Sequence, residues 1–299
     1  AITGGTGMIA SALIPFLTTG GHRVTRVVRG IPGPGDMRWD PARGILDPNA
    51  LEGVDAVIHL AGENIAGKRW NAARKRALIE SRIRSTRLIA GAIAAMRRPP
   101  RVLLSASAIG FYGDSGDEPL SEAAGRGKGG ASGADFLAEL CEAWEDAAEP
   151  ARAAGVRVVH PRLGIVLTPQ GGALARMIVP FRFGAGGPMG NGRQWVSWVS
   201  IDDVIGALHH AMFSDSLDGP VNVTAPGAVR SAEFARTLGR VLHRPAIFPV
   251  PRVALQLAVG ELTDALLASA RVMPAALERT GYSFRYPSLD GALKHLLGK

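Results

Sequence analysis

A glycine-rich turn near the start of the chain has the residue types that bind a diphosphate. The segment T-G-G-T-G-M-I-A spans residues 3–10 and follows a short apolar strand. Gly4 permits a tight turn, Gly7 permits close approach of the backbone to a pyrophosphate, and Ala10 permits close packing of helix on strand. The amides that open the following helix would face the phosphates. The predicted contacts of this dinucleotide-binding turn are Gly4, Gly5, Thr6, Gly7, Met8 and Ile9.

The residue that ends the second predicted strand distinguishes between two nicotinamide cofactors. An acidic residue about 20 positions after the glycine motif would bind a ribose 2′-hydroxyl. This sequence has Arg29 there, in V-V-R-G, preceded by Val28. A guanidinium suits a 2′-phosphate because it forms bidentate hydrogen bonds. We therefore expect NADP rather than NAD, with Val28 and Arg29 as contacts; the alternative is that Arg29 is a solvated strand end.

The next apolar strand ends in H-L-A-G, residues 59–62. Small Ala61 and Gly62, after Leu60, leave room for a ribose or adenine at the carboxyl edge of a sheet. Leu60, Ala61 and Gly62 are therefore further predicted cofactor contacts. His59 lies in an apolar run, which favours a hydrogen-bonded core histidine over a catalytic one.

Elements that would position these residues follow from the hydrophobic pattern. Apolar strands alternate with helical segments, which indicates an α/β fold with a doubly wound parallel sheet of the Rossmann type. A smaller, mainly helical C-terminal region follows. The predicted strands are residues 1–3, 22–28, 55–60, 102–105, 156–160, 165–167 and 221–223, and the predicted helices are 8–19, 70–96, 136–154, 202–213 and 231–242. Glycine-rich loops are predicted at 30–35, 113–133 and 184–192.

The same pattern predicts two domains. Residues 1–170, with a strand from 221–224, form the predicted NADP-binding domain. Residues 171–299 form the predicted substrate-side and C-terminal domain.

The composition favours a globular protein without disulfides or membrane-spanning helices. The chain has 299 residues, 46% hydrophobic and 20% charged, so it is expected to fold into a globular core. A single cysteine, Cys141, excludes an intrachain disulfide and a cysteine zinc site, and favours a cytoplasmic location. No apolar run approaches the ~18 residues of a transmembrane helix, and no signal peptide is visible. We expect no membrane partner and no metal.

The net charge of +8 is compatible with several partners. Its densest clusters lie beside or on a predicted helix and favour solvated helix surface over attraction of an anionic ligand. No aromatic interleaving accompanies them, so no nucleic-acid partner is expected.

Several motifs together resemble the extended short-chain dehydrogenase/reductases. They are T-G-G-T-G, V-I-H-L-A-G, L-S-A-S-A-I-G-F-Y-G, W-V-S-W-V-S-I-D-D-V and G-P-V-N-V-T-A-P. The resemblance is strongest to the "epimerase family" branch, which is also described as nucleoside-diphosphate-sugar epimerase-like. Its marks are A-G-E-N-I-A-G-K-R-W at 61–70, G-G-A-L-x-R-M at 171–177 and G-x-G-R-Q-W-x-S-W at 190–198. R-V-x-P at 271–274 and G-Y-x-F-x-Y-P at 281–287 resemble its C-terminal domain of unknown function.

This resemblance implies two further cofactor contacts. Arg82 shares a helix face with Leu78 and Ser85, and the resemblance places it near the cofactor phosphate or ribose; the alternative is a buried salt bridge. Val166 follows the strand that runs past the nicotinamide in these enzymes.

The chain departs from the family in its catalytic pair, a tyrosine followed four residues later by a lysine. Its three tyrosines are followed at that distance by Gly116, Tyr286 and Asp290. The helix that should carry the pair reads D-F-L-A-E-L at 135–140. An acidic or apolar pair there cannot stabilise a tyrosinate.

The remaining catalytic candidates are Ser105, Ser107 and Tyr112. Other acids near the predicted site are Glu63, Asp114, Asp135 and Glu139. The alternative for Asp114 is a solvated acid in a glycine-rich loop, and the alternative for Asp135 and Glu139 is a helix cap with a surface acid. We expect an NADP(H)-binding oxidoreductase or epimerase-like enzyme that acts on a small molecule, with a nucleotide sugar or a small carbonyl as candidate substrates. The alternative is a non-catalytic NADP(H)-binding sensor or scaffold.

Residues 184–198 would form the substrate end. Arg193, Gln194, Trp195 and Trp198 supply hydrogen-bond donors and stacking faces. The alternative is a packed hairpin with core tryptophans.

Overall fold

The computed structural model describes residues 1–127 and 132–299. Its strands, numbered in chain order, are β1 (Ile2–Thr3), β2 (Arg26–Val28), β3 (Met37–Asp40), β4 (Ile45–Leu46), β5 (Ala56–His59), β6 (Val102–Ser105), β7 (Ser107–Ala108), β8 (Pro119–Leu120), β9 (Arg157–Leu163), β10 (Ile165–Thr168), β11 (Trp195–Val196), β12 (Trp198–Ser200), β13 (Gly219–Val223), β14 (Val229–Arg230) and β15 (Arg271–Val272).

Its α-helices are α1 (Met8–Thr19), α2 (Ala72–Ala94), α3 (Ser132–Asp146), α4 (Glu149–Ala153), α5 (Gly172–Arg182), α6 (Ile201–Phe213), α7 (Ser231–Leu242), α8 (Arg252–Val259), α9 (Leu262–Leu267), α10 (Ala275–Arg279) and α11 (Leu289–Leu297). Short 3₁₀ turns lie at Pro48–Leu51 and Ile109–Tyr112.

One central sheet has the strand order β13-β9-β6-β5-β1-β2-β3-β4, and β7 also pairs with β9. Neighbouring strands are parallel except β3 and β4. The predicted doubly wound α/β sheet is therefore confirmed. The strand order reverses at β1, which lies between β2 and β5, and the carboxyl ends of strands at such a point open a crevice for a ligand.

Helices cover both faces of this sheet because side chains alternate along each strand. On β5, Val57 packs with Ile89 of α2, whereas Ile58 packs with Leu13 of α1 and with α6. The core thus consists of two apolar layers, one on each face of the sheet. The candidate site lies at the edge of the sheet formed by the carboxyl ends of the strands.

Two predicted elements differ in the structure. The strand predicted over residues 22–28 begins at Arg26, and the helix predicted over 136–154 is two helices, α3 and α4. Pro150 in the first turn of α4 explains the break, because its ring has no N–H to continue a preceding helix. The pair β3 and β4 was not predicted from the sequence.

The C-terminal part packs against the sheet at several places. Helix α10 packs against β13, α11 against α7, and α9 against α3. Outside the central sheet, β10 pairs with β12, β11 with β14, and β15 with β8. The predicted strand at 221–223 is β13, at the edge of the central sheet; the division at residue 170 stays a prediction. In the part of the chain that the structure describes, no helix is long and apolar enough to cross a membrane.

Candidate cofactor and active site

The glycine turn lies between β1 and α1, at the point where the strand order reverses. Gly4 has φ +71°, and a Cβ there would lie 2.9 Å from the backbone of Leu60 and Ala61. Gly7 donates its N–H to the Gly4 carbonyl at 2.8 Å and precedes α1 without a capping side chain. The first amides of α1 are therefore available to an anionic ligand. Gly5 is half-buried and Thr6 is exposed in this turn.

A buried hydrogen-bond network fixes the end of β5 beside this turn. The amides of Leu60 and Ala61 both donate to Thr3 Oγ1 at 3.1 Å. The Thr3 hydroxyl lies 2.8 Å from His59 Nδ1, and His59 Nε2 lies 3.1 Å from the Ser85 hydroxyl oxygen. Since Thr3 Oγ1 already accepts two bonds, its hydrogen goes to Nδ1, and Nε2–H donates to Ser85. His59 is thus a neutral, hydrogen-bonded core histidine, as predicted.

This histidine makes folding stability depend on pH. Burial lowers the pKa of His59 to about 4, from 6.5 in an exposed histidine. Between these pH values the unfolded chain binds a proton at His59 and the native chain does not. The contribution of neutral His59 to the free energy of unfolding is therefore fully present above pH 6.5 and is lost as the pH drops towards 4. We expect acidification from pH 7.5 to 5 to cost the wild type about 2 kcal/mol more than His59→Gln, which keeps a donor and an acceptor. Urea unfolding of both proteins at both pH values measures this, and equal losses would contradict it.

Arg29 lies just beyond β2, at the carboxyl edge of the sheet. It is exposed, and within residues 1–127 and 132–299 its guanidinium has no hydrogen-bond or ion-pair partner. The pKa of the Glu63 carboxyl is lowered mainly by its hydrogen bond to Arg74, with a smaller contribution from the positive charge of Arg29. Arg29 is therefore a free cation close to the crevice. Half-buried Val28 precedes it.

The ion pair that shapes the neighbouring loop was not predicted from the sequence. Arg26 binds Asp36 through two hydrogen bonds of 2.8 and 2.7 Å, and Asp36 also accepts the N–H of Gly33 at 3.1 Å. The two partners are ten residues apart across an irregular loop, so neither helical nor strand spacing pointed to the pair.

Arg82 is buried at the side of the crevice. Its guanidinium donates to the carbonyls of Glu63 at 3.0 Å and Leu78 at 3.3 Å and stacks 4.9 Å above the Trp144 ring. No carboxylate binds it among the described residues, so the alternative of a buried salt bridge is not what the structure shows. A Cβ on Gly62 would lie 3.4 Å from its Cζ, which places Gly62 against this cation. A role for Arg82 in cofactor binding stays a prediction.

The two serine candidates end β6 and begin β7. Both are buried. Ser107 donates its hydroxyl to Glu145 at 2.6 Å, whereas Ser105 Oγ has no hydrogen-bond partner in the described structure. Leaving a buried hydroxyl without a partner costs folding free energy, so such a group calls for an explanation. Of the two serines, Ser105 is the one whose hydroxyl is free to bond a ligand.

Tyr112 is fully buried, and its hydroxyl is occupied. It donates to Asn222 at 2.8 Å and accepts from Arg162 at 3.0 Å. Burial raises the pKa of Tyr112 above that of an exposed tyrosine, although the Arg162 charge opposes this. The phenol is therefore protonated at neutral pH and engaged within the protein.

Arg162 holds together the cluster of side chains around Tyr112. This role of Arg162 was not predicted from the sequence. Arg162 pairs with Glu145 of α3 through two hydrogen bonds of 2.8 Å and lies 3.4 Å from the Phe111 ring centroid. The ion pair is almost completely buried. Arg162 lies near the end of β9, beyond the strand predicted over residues 156–160, and β9 also contains Arg157 and His160, so nothing in the sequence singled it out.

Two pairs spaced by four residues lie on α3, the acidic Asp135 and Glu139 and the apolar Phe136 and Leu140, and the apolar pair lies in an apolar cluster. Phe136 packs edge-on against Trp70 at 5.3 Å, and Leu140 is buried with Trp70 and with Leu262 of α9. Lys75 lies 5.2 Å from the Phe136 ring centroid and pairs with Glu261. The C-terminal part of the chain thus covers the face of α3 that carries Phe136 and Leu140.

The other acids near the predicted site lie in different environments. Glu139 is exposed, and Asp114 accepts the N–H of Ser269 at 3.0 Å. One oxygen of Asp135 is buried without a hydrogen-bond partner within the described ranges. Those ranges contain no group of three His, Cys, Asp or Glu side chains that could hold a metal ion.

Residues 184–198 combine a packed and an open part. Trp198 is fully buried and donates to the Gly227 carbonyl at 2.8 Å, and Gln194 is also buried. Trp195 is half-buried, and its ring lies 4.2 Å from the Arg230 guanidinium and 4.8 Å from that of Arg271. The packed-hairpin alternative therefore describes Trp198 and Gln194 only.

Val166 completes the predicted contacts. It is buried on β10 in the same apolar cluster as Met8 and Ile9 of α1. β10 and the start of α1 therefore pack on the same apolar cluster.

Residues 1–223 match the model of the NAD dependent epimerase/dehydratase family, and residues 250–296 match a domain of unknown function, DUF1731. The chain belongs to the NAD dependent epimerase/dehydratase family. The predicted resemblance, including the C-terminal domain, is confirmed.

Three similar proteins support this assignment. Epimerase family protein Mb2239 of Mycobacterium bovis is 42% identical over 295 residues, which cover 98% of this chain and 95% of that protein. The crystal structure of human epimerase family protein SDR39U1 with NADPH has a TM-score of 0.90 at 36% identity and covers 100% of this chain and 98% of that one. A nucleoside-diphosphate sugar epimerase from Corynebacterium glutamicum has a TM-score of 0.81 at 37% identity and covers 99% of this chain and 57% of that one.

Proposed function

We propose that this protein binds NADP(H) in the crevice between the glycine turn and the ends of β2 and β5. Unpaired Arg29 at the adenosine end carries the choice of NADP over NAD, because a 2′-phosphate would supply the partner this exposed cation lacks. The crystal structure of human SDR39U1 with NADPH supports it. The proposed contacts are Gly4, Gly5, Thr6, Gly7, Met8, Ile9, Val28, Arg29, Leu60, Ala61, Gly62, Arg82 and Val166.

The discriminating variant is Arg29→Ala. We expect NADPH to bind the wild type more tightly than NADH and Arg29→Ala to weaken NADPH alone, by about 1.5–3 kcal/mol, the value of a charged hydrogen bond. Titration of both cofactors into both proteins measures this. Arg23→Ala is the matched control, since exposed Arg23 lies before β2 at its other end. Equal affinities of the wild type for the two cofactors, or an unchanged affinity in Arg29→Ala, would refute the assignment.

We further propose oxidoreductase or epimerase-like chemistry on an anionic carbonyl or sugar substrate. When bound, the cofactor supplies or accepts a hydride, and Ser105, with its free hydroxyl, is the proposed hydrogen-bond donor to the reacting oxygen. Arg230 and Arg271 lie 4.2 and 4.8 Å from the Trp195 ring centroid, and Asp117 pairs with Arg230. A stacking ring among cations suits a nucleotide sugar, and the Corynebacterium relative carries the name of a nucleoside-diphosphate sugar epimerase.

A non-catalytic NADP(H)-binding sensor is the second candidate. The absence of a tyrosine–lysine pair from the sequence favours it, as does the occupied hydroxyl of Tyr112. Mixing the protein with NADPH, or with NADP, and a panel of nucleotide sugars and small carbonyls separates the two candidates, with nicotinamide absorbance and product as readouts. Turnover that Ser105→Ala abolishes supports the enzyme, whereas tight NADPH binding without turnover supports the sensor.

A further inference from the structure

Large apolar side chains protrude from the protein where two loops pair. Phe183 is 85% exposed, Ile247 is 71% exposed and Phe248 is 57% exposed. Hydrogen bonds from Phe248 to Gly186 and from Val250 to Pro188 join the two loops. These residues are therefore neighbours in space although they lie more than 60 positions apart in the chain. We call this surface, Phe183 with Ile247 and Phe248, the apolar tip.

The elements next to the tip are also apolar on their outer sides. Val179 lies one turn before Phe183 on α5 and is exposed. Helix α8 follows the second loop, has no buried residue, and exposes Val253 and Leu257 four residues apart on one side. An exposed helix with an apolar side lies naturally at a boundary between water and an apolar phase.

The charge around the tip is mainly positive. Residues 171–201 and 234–260 contain no aspartate or glutamate. The acids next along the chain, Glu261 and Asp264, line a pocket with Arg69 beside α8. Arg182 and Arg244 flank the tip, and Arg69 donates to the Gln256 carbonyl on α8 at 3.5 Å. Within the ranges that the structure describes, none of these three guanidiniums has a carboxylate partner. The surface therefore combines protruding apolar side chains with three arginines that form no ion pair within the described residues.

We propose that this face docks on an anionic phospholipid bilayer. The apolar tip would enter the boundary of the acyl chains while Arg69, Arg182 and Arg244 contact lipid phosphates, the two forces that together hold peripheral proteins. The arginines without ion pairs favour an anionic lipid surface, because the phosphates of such a surface attract basic side chains close to it. Such docking is peripheral and needs no spanning helix, but it replaces the expectation of no membrane partner.

Vesicle co-sedimentation tests this with the full chain. Vesicles of phosphatidylcholine with about one third phosphatidylglycerol are compared with pure phosphatidylcholine, at low and high salt. We expect binding to the anionic vesicles that weakens with salt, at least about tenfold weaker binding for Ile247→Ser with Phe248→Ser, and about fivefold weaker binding for Arg244→Glu.

Matched controls are available elsewhere on the surface. Ile45→Ser changes an isoleucine that is 55% exposed on β4, and Arg87→Glu reverses an exposed charge on α2. Both should bind the vesicles like the wild type. The proposal is overturned if the wild type does not sediment with anionic vesicles, or if tip and control variants bind equally. It is also overturned if the tip variants instead convert a dimer to a monomer in light scattering, since the occupant is then a second copy.

Discussion

Gly7→Val should bind NADPH on the order of 100-fold more weakly than the wild type, or worse, and should remain folded. Steric overpacking costs ~1–3 kcal/mol, and a displaced diphosphate also loses charge-assisted hydrogen bonds of about 1.5–3 kcal/mol each. Gly7 lies at the start of α1, where the free backbone N–H groups would bind the phosphates of the cofactor. A branched side chain there would occupy the space that the diphosphate needs. Its φ of −76° is open to any residue, and an added Cβ would meet one carbonyl at 3.1 Å. The fold should therefore tolerate valine even though the ligand does not.

Calorimetric titration with NADPH measures the loss, and circular dichroism with thermal unfolding checks the fold. Gly91→Val is the matched control: an added Cβ there meets no atom within 4 Å. Helix α2 connects the carboxyl end of β5 to the start of β6, so Gly91, near its end, lies at the far edge of the sheet. Retained tight binding in Gly7→Val would remove the glycine turn from the cofactor site. Gly4 offers no equivalent test, because a Cβ there would press on the backbone beside Ala61 and disturb folding itself.

The central architecture could be predicted because its signals are local. β1, the glycine turn and α1 follow one another directly, and α1 spans the predicted residues 8–19. The strands β5 and β6 are short apolar runs, as expected of strands buried on both faces. Met37–Asp40 was missed because its alternation of apolar and charged residues covers only four positions and directly follows a loop rich in glycine and proline.

The candidate site was predictable only in part, because spacing does not reveal long-range partners. The glycine turn and Arg29 were found through a motif of fixed spacing. The bond from Ser107 to Glu145 spans 38 residues, and that from Tyr112 to Asn222 spans 110. Such partners come into contact only when the strands are ordered in the sheet. The hydroxyl of Tyr112, a catalytic candidate in the sequence, is therefore found bound to Asn222 and Arg162 in the structure.

Asp203 is a further residue whose role only the structure shows. Its carboxylate is fully buried in the first turn of α6. One oxygen accepts the amide of Arg285 at 2.7 Å, and the other accepts the Ser200 hydroxyl at 2.8 Å and the Tyr286 amide at 3.1 Å. The Tyr282 hydroxyl donates to its main-chain carbonyl at 3.0 Å. The carboxylate thus joins the C-terminal domain to the helix that packs on the central sheet.

Asp203→Asn should lower the free energy of unfolding by about 3–5 kcal/mol, the range for breaking a buried charged network. An amide replaces one accepting oxygen with a donor, so at least one donor, such as the Arg285 or Tyr286 amide, would face an NH₂ group and lose its partner. The N-terminus of α6 would also lose a favourable negative charge. Urea unfolding with linear extrapolation measures the difference.

Asp202→Asn is the matched control, because Asp202 lies on the same turn of α6 with a partly exposed side chain 3.3 Å from His295. An exposed pair of this kind contributes at most about 1 kcal/mol, so the neighbouring substitution should be nearly silent. Since both variants remove one charge from the same helix end, a loss specific to Asp203→Asn isolates the buried hydrogen bonds from the helix dipole. Equal, small losses in both variants would mean that the C-terminal domain is held to the sheet by apolar packing alone.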